Sequence, residues 1–255
     1  MLLALDMGNT NITIGVYEKD SLRFESRLAT DCAKMEDQYA VEIMDILRLY
    51  GIEPREIEGA IISSVVPPLD RAIAGAVEKI TGVAPMMVGP GTKTGIDIRI
   101  DNPAQLGADL LVGAVAAVAR YGAPCIIWDL GTATTVSVVN DKGWFLGGAI
   151  MPGIGVSFNH LTQKTALLPS IRMEAPRHVI GPNSIECMQS GAIFGTASML
   201  DGLCERIEQE LGYPTTVVAT GGLGRMVVPY CRRPMVYDDN LLLEGLRLIY
   251  EKNIK

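Results

Sequence analysis

One pattern occurs twice in this chain: an apolar strand runs straight into an aspartate, and a glycine follows two residues later. The first copy reads LLALDMGNTNITIG from Leu2, and the second reads CIIWDLGTATTVSV from Cys125. A single Asp-x-Gly is typical of an ordinary hairpin, in which glycine adopts positive φ and aspartate bonds to the backbone. Two copies in matching places indicate another purpose, because a carboxylate at the end of a buried strand is costly unless it meets a cation or hydrogen-bond donors.

Both copies carry groups that suit a phosphate. Gly8 and Gly131 let the main chain approach closely, and the amides of each turn can donate to phosphate oxygens. The side-chain donors of the two turns are Asn9, Thr10 and Thr132. Asp6 and Asp129 would hold the cations that offset phosphate charge, since Mg²⁺ takes oxygen ligands and keeps several waters. Two such loops facing each other would clamp a nucleotide triphosphate.

The order of predicted elements repeats as well. The first half gives strands at 2–5, 11–17, 21–29 and 59–68, a hairpin turn at Lys19-Asp20, and helices at 37–50 and 69–80. The second half gives strands at 125–130, 134–140, 143–150 and 216–222, and helices at 153–161, 184–211 and 239–252. This order predicts an α/β protein of two similar domains that arose by duplication, residues 1–117 and 118–255, linked by a helix near 105–120.

Composition indicates which binding partners and which cellular compartment to expect. The net charge of −7 argues against a nucleic-acid binder, which usually presents a basic face. The five cysteines form no CxxC pair and are odd in number, which favours a reducing compartment. No signal peptide is visible, and the longest apolar stretch, 110–119, is too short to span a bilayer. We therefore expect a cytoplasmic protein with neither nucleic acid nor membrane as a partner.

Several motifs, met in order along nearly the whole chain, resemble those of a known family. DMGNTNITIG and DLGTATT resemble the two phosphate loops of the acetate and sugar kinase, Hsp70 and actin superfamily, and ATGGLG (219–224) resembles its adenosine loop. Within that superfamily the chain is similar to type III pantothenate kinases. The stretches that carry this likeness are PGTKTGIDI (90–98), DNPAQLGAD (101–109), GGAIMPG (147–153) and IGPNSIECMQSGAIFG (180–195).

The resemblance implies a fold, an activity and its cofactors. The fold would be two actin-like (ribonuclease H-like) α/β domains with the nucleotide cleft between them. The activity would be ATP-dependent phosphorylation of pantothenate to 4′-phosphopantothenate, the first step of coenzyme A synthesis. The family uses Mg²⁺ and a monovalent cation, K⁺ or NH₄⁺, and works as a homodimer whose substrate pocket borrows residues from the partner.

The resemblance also implies residue roles. Asp109 would be the catalytic base, Asp6 would hold Mg²⁺ and Asp129 the monovalent cation. ATP would be bound by Asp6, Met7, Gly8, Asn9, Thr10, Asn11, Ile12, Thr13, Gly131, Thr132, Gly221 and Gly222. The pantothenate pocket would be formed by Ile100, Gly107, Ala108, Asp109, Leu110 and Ser184.

The residues just before Asp109 carry signals for the start of a helix. Asn102 is a suitable N-cap, Pro103 suits the first helical position and Gln105 the third. These signals place Asp109 about two turns into the helix, past the benefit of the helix dipole. Its neighbours are apolar, so its carboxylate has to point into a cleft or find a partner.

The acceptor pocket departs from the family pattern at three positions. Leu110 stands where the family has arginine, Ile100 where it usually has tyrosine, and Ser184 where it has threonine. Leucine donates no hydrogen bond, so a substrate contact is lost there. One reading is an active pantothenate kinase with a repacked acceptor site. The other is a divergent paralogue that phosphorylates a different small hydroxyl compound, or that binds nucleotide as a non-catalytic regulatory protein.

Overall fold

The computed structural model describes residues 1–254, which form two compact units. The first unit comprises 1–95, 102–116 and 241–254, and the second comprises 96–101 and 117–240. The ranges 1–117 and 118–255 stay a prediction; by contacts, residues 241–254 group with the first unit. None of the helices in residues 1–254 combines the length and apolar character that crossing a membrane would require.

The strands and helices follow one another along the chain. The strands are β1 (Leu2–Met7), β2 (Asn11–Glu18), β3 (Ser21–Ala29), β4 (Gly59–Ser64), β5 (Met86–Met87), β6 (Asp97–Ile98), β7 (Cys125–Leu130), β8 (Ala133–Val139), β9 (Trp144–Pro152), β10 (Thr216–Thr220) and β11 (Val236–Tyr237). The helices are α1 (Glu36–Leu49), α2 (Pro67–Thr81), α3 (Ala108–Tyr121), α4 (Ile154–Lys164), α5 (Ser184–Ser190), α6 (Thr196–Leu211), α7 (Gly224–Val227) and α8 (Leu241–Ile254).

The two sheets share one topology, which confirms the predicted α/β class and the similarity of the two halves. The first sheet has the order β3-β2-β1-β4-β5, and the second has the order β11-β10-β7-β8-β9-β6. In each, a central strand pairs antiparallel with the next strand and parallel with a later one that follows a helix. The second sheet differs only by the added edge strand β6, which runs parallel to β9.

The faces of the first sheet are covered by different helices. Alternate residues of β1, such as Leu3 and Leu5, are fully buried in a core with Tyr39 and Ile43 of α1 and Ile73 of α2. The opposite face contacts α8. Glycines permit this close contact: a Cβ on Gly15 would lie 2.7 Å from Leu243, and one on Gly59 would lie 1.9 Å from the Tyr250 hydroxyl. Because side chains alternate along β1, one face of the sheet packs against α1 and α2 and the other face packs against α8.

Three predicted elements differ in detail from the structure. Pro67 and Pro68 begin α2, whereas the prediction placed them at the end of a strand. Proline suits the first turn of a helix because the N–H groups of that turn have no partner within the helix, so the missing N–H costs nothing there. The predicted helix 184–211 is divided into α5 and α6 by a π-helical turn at Gly191–Gly195, which hydrophobic periodicity does not reveal. The predicted helix at 105–120 begins later, at Ala108, after a 3₁₀ turn at Pro103–Gln105.

Candidate active site

The first phosphate-loop candidate is the turn between β1 and β2. The Gly8 amide donates to the Asn11 carbonyl at 3.0 Å, and a Cβ on Gly8 would lie 3.1 Å from the same oxygen. Asn9, Thr10 and Asn11 are exposed, so their polar groups are accessible to a ligand. The side chains of Met7 and Ile12 are buried in the core, which leaves only their main-chain groups for a ligand.

The chain just beyond β3 holds this loop in place. The Thr30 amide donates to the Thr10 carbonyl at 2.9 Å, and the Thr30 hydroxyl donates to the Gly8 carbonyl at 2.7 Å. Tyr39, fully buried in α1, accepts from the Asp31 amide and donates to the Asp31 carbonyl, each at 2.9 Å. No signal in the sequence pointed to Thr30 and Tyr39, because they are distant in the chain from the loop that they support.

The second loop candidate is the turn between β7 and β8. The Gly131 amide donates to the Ala133 carbonyl at 3.0 Å, and Thr132 is exposed. The Gly153 amide donates to the Thr132 carbonyl at 3.1 Å, at the point where β9 enters α4. A Cβ on Gly153 would lie 2.3 Å from that carbonyl oxygen and 2.5 Å from the Gly131 oxygen. Glycine is required at 153 by this close approach.

The adenosine-loop candidate lies against the second loop. Gly221 has φ +90°, and a Cβ there would lie 2.4 Å from Asp129 Oδ1 and 2.6 Å from the Leu130 nitrogen. The Tyr237 hydroxyl donates to the Gly221 carbonyl at 3.1 Å and fixes this turn. Gly222 is exposed next to it. The second unit therefore brings Asp129, Gly131 and Gly221 together, although they are far apart in sequence.

Asp109 lies in the first turn of α3, so its predicted place two turns into a helix was wrong. Asn102 caps the short 3₁₀ turn instead, accepting from the Ala104 amide at 3.2 Å. Asp109 Oδ1 accepts from the Leu110 amide at 2.8 Å. Burial raises the pKa of the Asp109 carboxyl above its ordinary value, and the main-chain amides of Leu110 and Asp109 lower it in part. A carboxylate with a raised pKa is a better proton acceptor.

The remaining acceptor candidates lie in different local settings. A Cβ on Gly107 would lie 2.5 Å from Asp109 Oδ1, so glycine leaves room for that carboxylate. Ala108 and Leu110 are half-buried on either side of it. Ile100 follows β6, and a Cβ on Gly147 of β9 would lie 3.7 Å from its side chain. Arg99 forms an ion pair with Asp97 at 2.6 Å and lies over Trp144.

Ser184 is the first residue of α5 and is exposed. Asn183 caps this helix, accepting from the Glu186 amide at 3.0 Å. Ser184 lines a groove of about 580 Å³ whose other walls are mainly apolar, including Phe158, Leu161 and Met188. Among residues 1–254, no other predicted site residue lines this groove.

The loops fit the cations that the resemblance implies. Asp6 and Asp129 are oxygen donors at the ends of buried strands, the kind of ligand that Mg²⁺ and K⁺ accept. A Cβ on Gly131 would lie 3.3 Å from Asp129 Oδ1, so glycine at 131 avoids a tight contact with this carboxylate. The described part of the chain holds no cluster of three or more acidic, histidine or cysteine side chains around a metal position. Each cation would thus take one carboxylate from this chain, with the remaining ligands from phosphate and water.

Solved structures with this architecture include several kinases. A conserved putative Baf family transcriptional activator from Campylobacter jejuni is 17% identical with a TM-score of 0.62, and the match covers 99% of this chain and 98% of that one. A putative 2-dehydro-3-deoxygalactonokinase from Sinorhizobium meliloti is 15% identical with a TM-score of 0.58, covering 99% and 96%. At these identities the likeness concerns the fold alone, and it confirms the predicted actin-like and sugar-kinase-like architecture.

Sequence comparison is more specific. The family model described as type III pantothenate kinase matches residues 2–206. The type III pantothenate kinase of Myxococcus xanthus is 43% identical over 99% of this chain and 99% of its own length. That of Exiguobacterium sp. is also 43% identical, over the full length of both. The fold, the two aspartate loops and these full-length relatives agree, and this chain belongs to the type III pantothenate kinase family.

Proposed function

We propose that this chain transfers the γ-phosphoryl group of ATP to the primary hydroxyl of pantothenate, giving 4′-phosphopantothenate, the first step of coenzyme A synthesis. The observation that carries the proposal is the likeness to type III pantothenate kinases at 43% identity over the whole chain. The retained Asp6, Asp129 and Asp109 agree with it. Because the phosphoryl donor is ATP, we place the reaction in the cytoplasm.

In this proposal each loop binds phosphate oxygens of ATP. The amides of each turn and the exposed Asn9, Thr10 and Thr132 donate to phosphate oxygens. Asp6 would hold Mg²⁺ and Asp129 a monovalent cation, K⁺ or NH₄⁺, and bound cations would neutralise charge on the phosphates. Gly221 and Gly222 would lie beside the adenosine. Phosphoryl transfer depends mainly on such positioning and charge neutralisation.

Asp109 would orient the attacking hydroxyl and accept its proton. The pantothenate oxygen forms a bond to the γ-phosphorus, the bond between that phosphorus and the ADP oxygen breaks, and the hydroxyl proton passes to Asp109. The Leu110 amide, which donates to Oδ1 at 2.8 Å, holds the carboxylate in one orientation. Oδ2 would then accept the substrate proton.

A coupled assay of ADP release, with and without pantothenate, tests the proposal. Pantothenate-dependent turnover supports it. Turnover only with other alcohols indicates a divergent acceptor, and nucleotide binding without turnover indicates a regulatory protein. The double variant Leu110→Arg with Ile100→Tyr supplies the groups that the family usually carries. If their absence limits pantothenate use, we expect a gain of about ten- to a hundredfold in kcat/KM, the range for one charge-assisted hydrogen bond.

Substitution of Asp109 tests the catalytic role. Asp109→Asn keeps the size of the side chain and removes the base, so we expect kcat to fall by about 10²- to 10⁴-fold. Wild-type activity should fall as the pH is lowered, because only the ionised carboxylate accepts a proton. The midpoint of this fall should lie above the pKa of an ordinary aspartate, because burial raises the pKa of Asp109. An Asp109→Asn enzyme with wild-type kcat would contradict the assignment.

Measuring the stability of Asp109→Asn separates a catalytic role of Asp109 from a structural role. A raised carboxyl pKa means that the fold disfavours the charge, so this group's contribution to stability is present at low pH and lost as pH rises through the folded pKa. Asp109→Asn should therefore unfold at the same denaturant concentration as the wild type, or higher, at neutral pH.

We further propose that the protein works as a homodimer. Support comes from exposed apolar side chains in one segment of the second unit, namely Ile150, Leu167, Val179, Ile180 and Ile185. Exposed apolar groups this numerous in one segment are typical of an interaction surface. Light scattering should give twice the chain mass, and Leu167→Glu with Ile180→Glu should reduce it to one chain mass.

A further inference from the structure

Each loop aspartate stands at the centre of a row of three polar side chains that crosses its sheet. In the first sheet, Asp6 of β1 is in register with Thr13 of β2 and with Ser63 of β4. Residues in register on adjacent strands share a face, so the three side chains lie on the face opposite the core of α1 and α2. The row is therefore hydroxyl, carboxylate, hydroxyl.

The second sheet repeats this row. Asp129 of β7 is in register with Thr135 of β8 and with Thr220 of β10. In both sheets a threonine lies on the strand antiparallel to the aspartate strand, and a serine or threonine lies on the strand parallel to it. The other residues of β4 and β10 on this face are mainly small or apolar, such as Ile61 and Val218. A hydroxyl at the same place beside both aspartates indicates a role shared with the carboxylate.

Ser63 is the informative member of these rows. Its side chain is 0% exposed, and within residues 1–254 its hydroxyl oxygen has no hydrogen-bond partner. A buried hydroxyl without a partner is unfavourable, so one is expected to gain a partner in another state of the protein. Asp6, also mostly buried at 9% exposure, lies on the adjacent strand about 4.8 Å away in the hydrogen-bonding direction.

We propose that Ser63 is a positioning residue for the Asp6 carboxylate in the Mg²⁺-nucleotide complex. Its hydroxyl donates to one carboxylate oxygen, directly or through one water, and leaves the other oxygen for the cation. This orients a ligand that would otherwise rotate about its terminal torsion, as outer partners of metal ligands commonly do. The inference rests on the proposed function, because it takes Asp6 as the Mg²⁺ ligand.

The test measures binding rather than turnover. The melting temperature of the full chain is followed with saturating ADP while MgCl₂ is titrated, for the wild type and for Ser63→Ala. We expect the Mg²⁺ concentration at half-maximal stabilisation to rise about tenfold in Ser63→Ala. We also expect the melting temperature without ligand to stay the same or rise, because the variant loses a buried hydroxyl that had no partner. Ser63→Thr retains the hydroxyl, as Thr220 does beside Asp129, and should restore the wild-type Mg²⁺ midpoint.

The outcomes separate this inference from the proposed function. If the wild type shows no Mg²⁺-dependent stabilisation by ADP, both fail. If the wild type responds and Ser63→Ala has the same Mg²⁺ midpoint, the role of Ser63 is wrong and the proposed function stands. A lower melting temperature of ligand-free Ser63→Ala with an unchanged midpoint would assign the hydroxyl to folding alone and overturn the inference.

Discussion

The two aspartate loops use the same main-chain bonds and different side chains. The last strand pair before the first loop is Met7 with Ile12, and before the second loop it is Leu130 with Thr134, so the first loop is one residue longer. In each loop a threonine carbonyl accepts from the first residue after the third strand. These bonds are Thr30 to Thr10 at 2.9 Å and Gly153 to Thr132 at 3.1 Å.

The two loops differ at the first residue after the third strand of each sheet, which is Thr30 for the first loop and Gly153 for the second. In the first loop its side chain is used, because the Thr30 hydroxyl donates to the Gly8 carbonyl. In the second loop no side chain fits, because a Cβ on Gly153 would meet the Thr132 and Gly131 oxygens. The longer turn thus has room for a hydrogen-bonding side chain, and the shorter turn is held by direct backbone packing. The two loops thus share the main-chain bond and differ in the side chains around it.

The largest effect is expected for Gly153→Ala. The backbone at this position, φ −64° and ψ 155°, suits alanine, so the whole effect comes from the contact with main-chain oxygens that have little freedom to move. We expect a loss of about 3 kcal/mol in the free energy of unfolding, and weaker ATP binding. Urea unfolding and nucleotide titration measure the two.

Gly155→Ala is the matched control, two residues along in α4. Nothing lies within 4 Å of its Cβ position, so alanine should stabilise the helix by about 0.5–1 kcal/mol. If Gly153→Ala behaves like Gly155→Ala, the second loop is not held by backbone packing and the contrast between the loops fails.

The second prediction concerns the strands parallel to β1 and β7. The chain entering β10 is anchored by Glu208, which accepts from the Thr215 amide at 2.7 Å and forms two bonds with Arg233. Arg233 and these bonds hold the pKa of Glu208 down at about 2. The chain entering β4 instead carries an exposed ion pair, from the Met1 amino group to Glu58 at 3.1 Å, and Gly59 packs against Tyr250.

The pH dependence follows from the sign of the shift. A lowered pKa stabilises the fold above the unfolded value of about 4.5, and this contribution is lost as pH falls towards about 2. Glu208→Gln should lower the free energy of unfolding at pH 7 by about 1–2 kcal/mol and flatten its decline below pH 4.5. Urea unfolding from pH 7 to pH 3 measures this, and an unchanged slope in the variant would contradict the role of Glu208.

The smallest effect is expected for Thr30→Val. Valine keeps the shape and the amide bond to Thr10 but removes the hydroxyl bond to Gly8, so we expect a loss of about 1 kcal/mol. The KM for ATP should rise by a few-fold, because the turn is less firmly held. Thr30→Ser retains the hydroxyl and should remain close to the wild type. Equal KM values for the valine and serine variants would show that the side-chain bond does not position the loop.

The sequence predicted the elements whose signals are local. The strands that carry Asp6 and Asp129 follow from continuous apolar runs, and the hairpin at Lys19-Asp20 is confirmed, with Lys19 at φ 54°. The short strands β5, β6 and β11 were not predicted, because two residues carry no period. The start of α3 was placed too early, since Asn102 and Pro103 are helix-start signals that a 3₁₀ turn uses equally well.

The sequence by itself determined the α/β class, the repeated order of strands and the identity of the two aspartate loops, because alternation and turn chemistry act between near neighbours. Only the tertiary structure decided which residues support those loops. Thr30, Gly153 and Gly221 reach them across strands or through long connections, where a hydrogen bond or a missing Cβ depends on three-dimensional proximity. It also decided that Asp109 lies in the first turn of a helix, where burial raises its pKa.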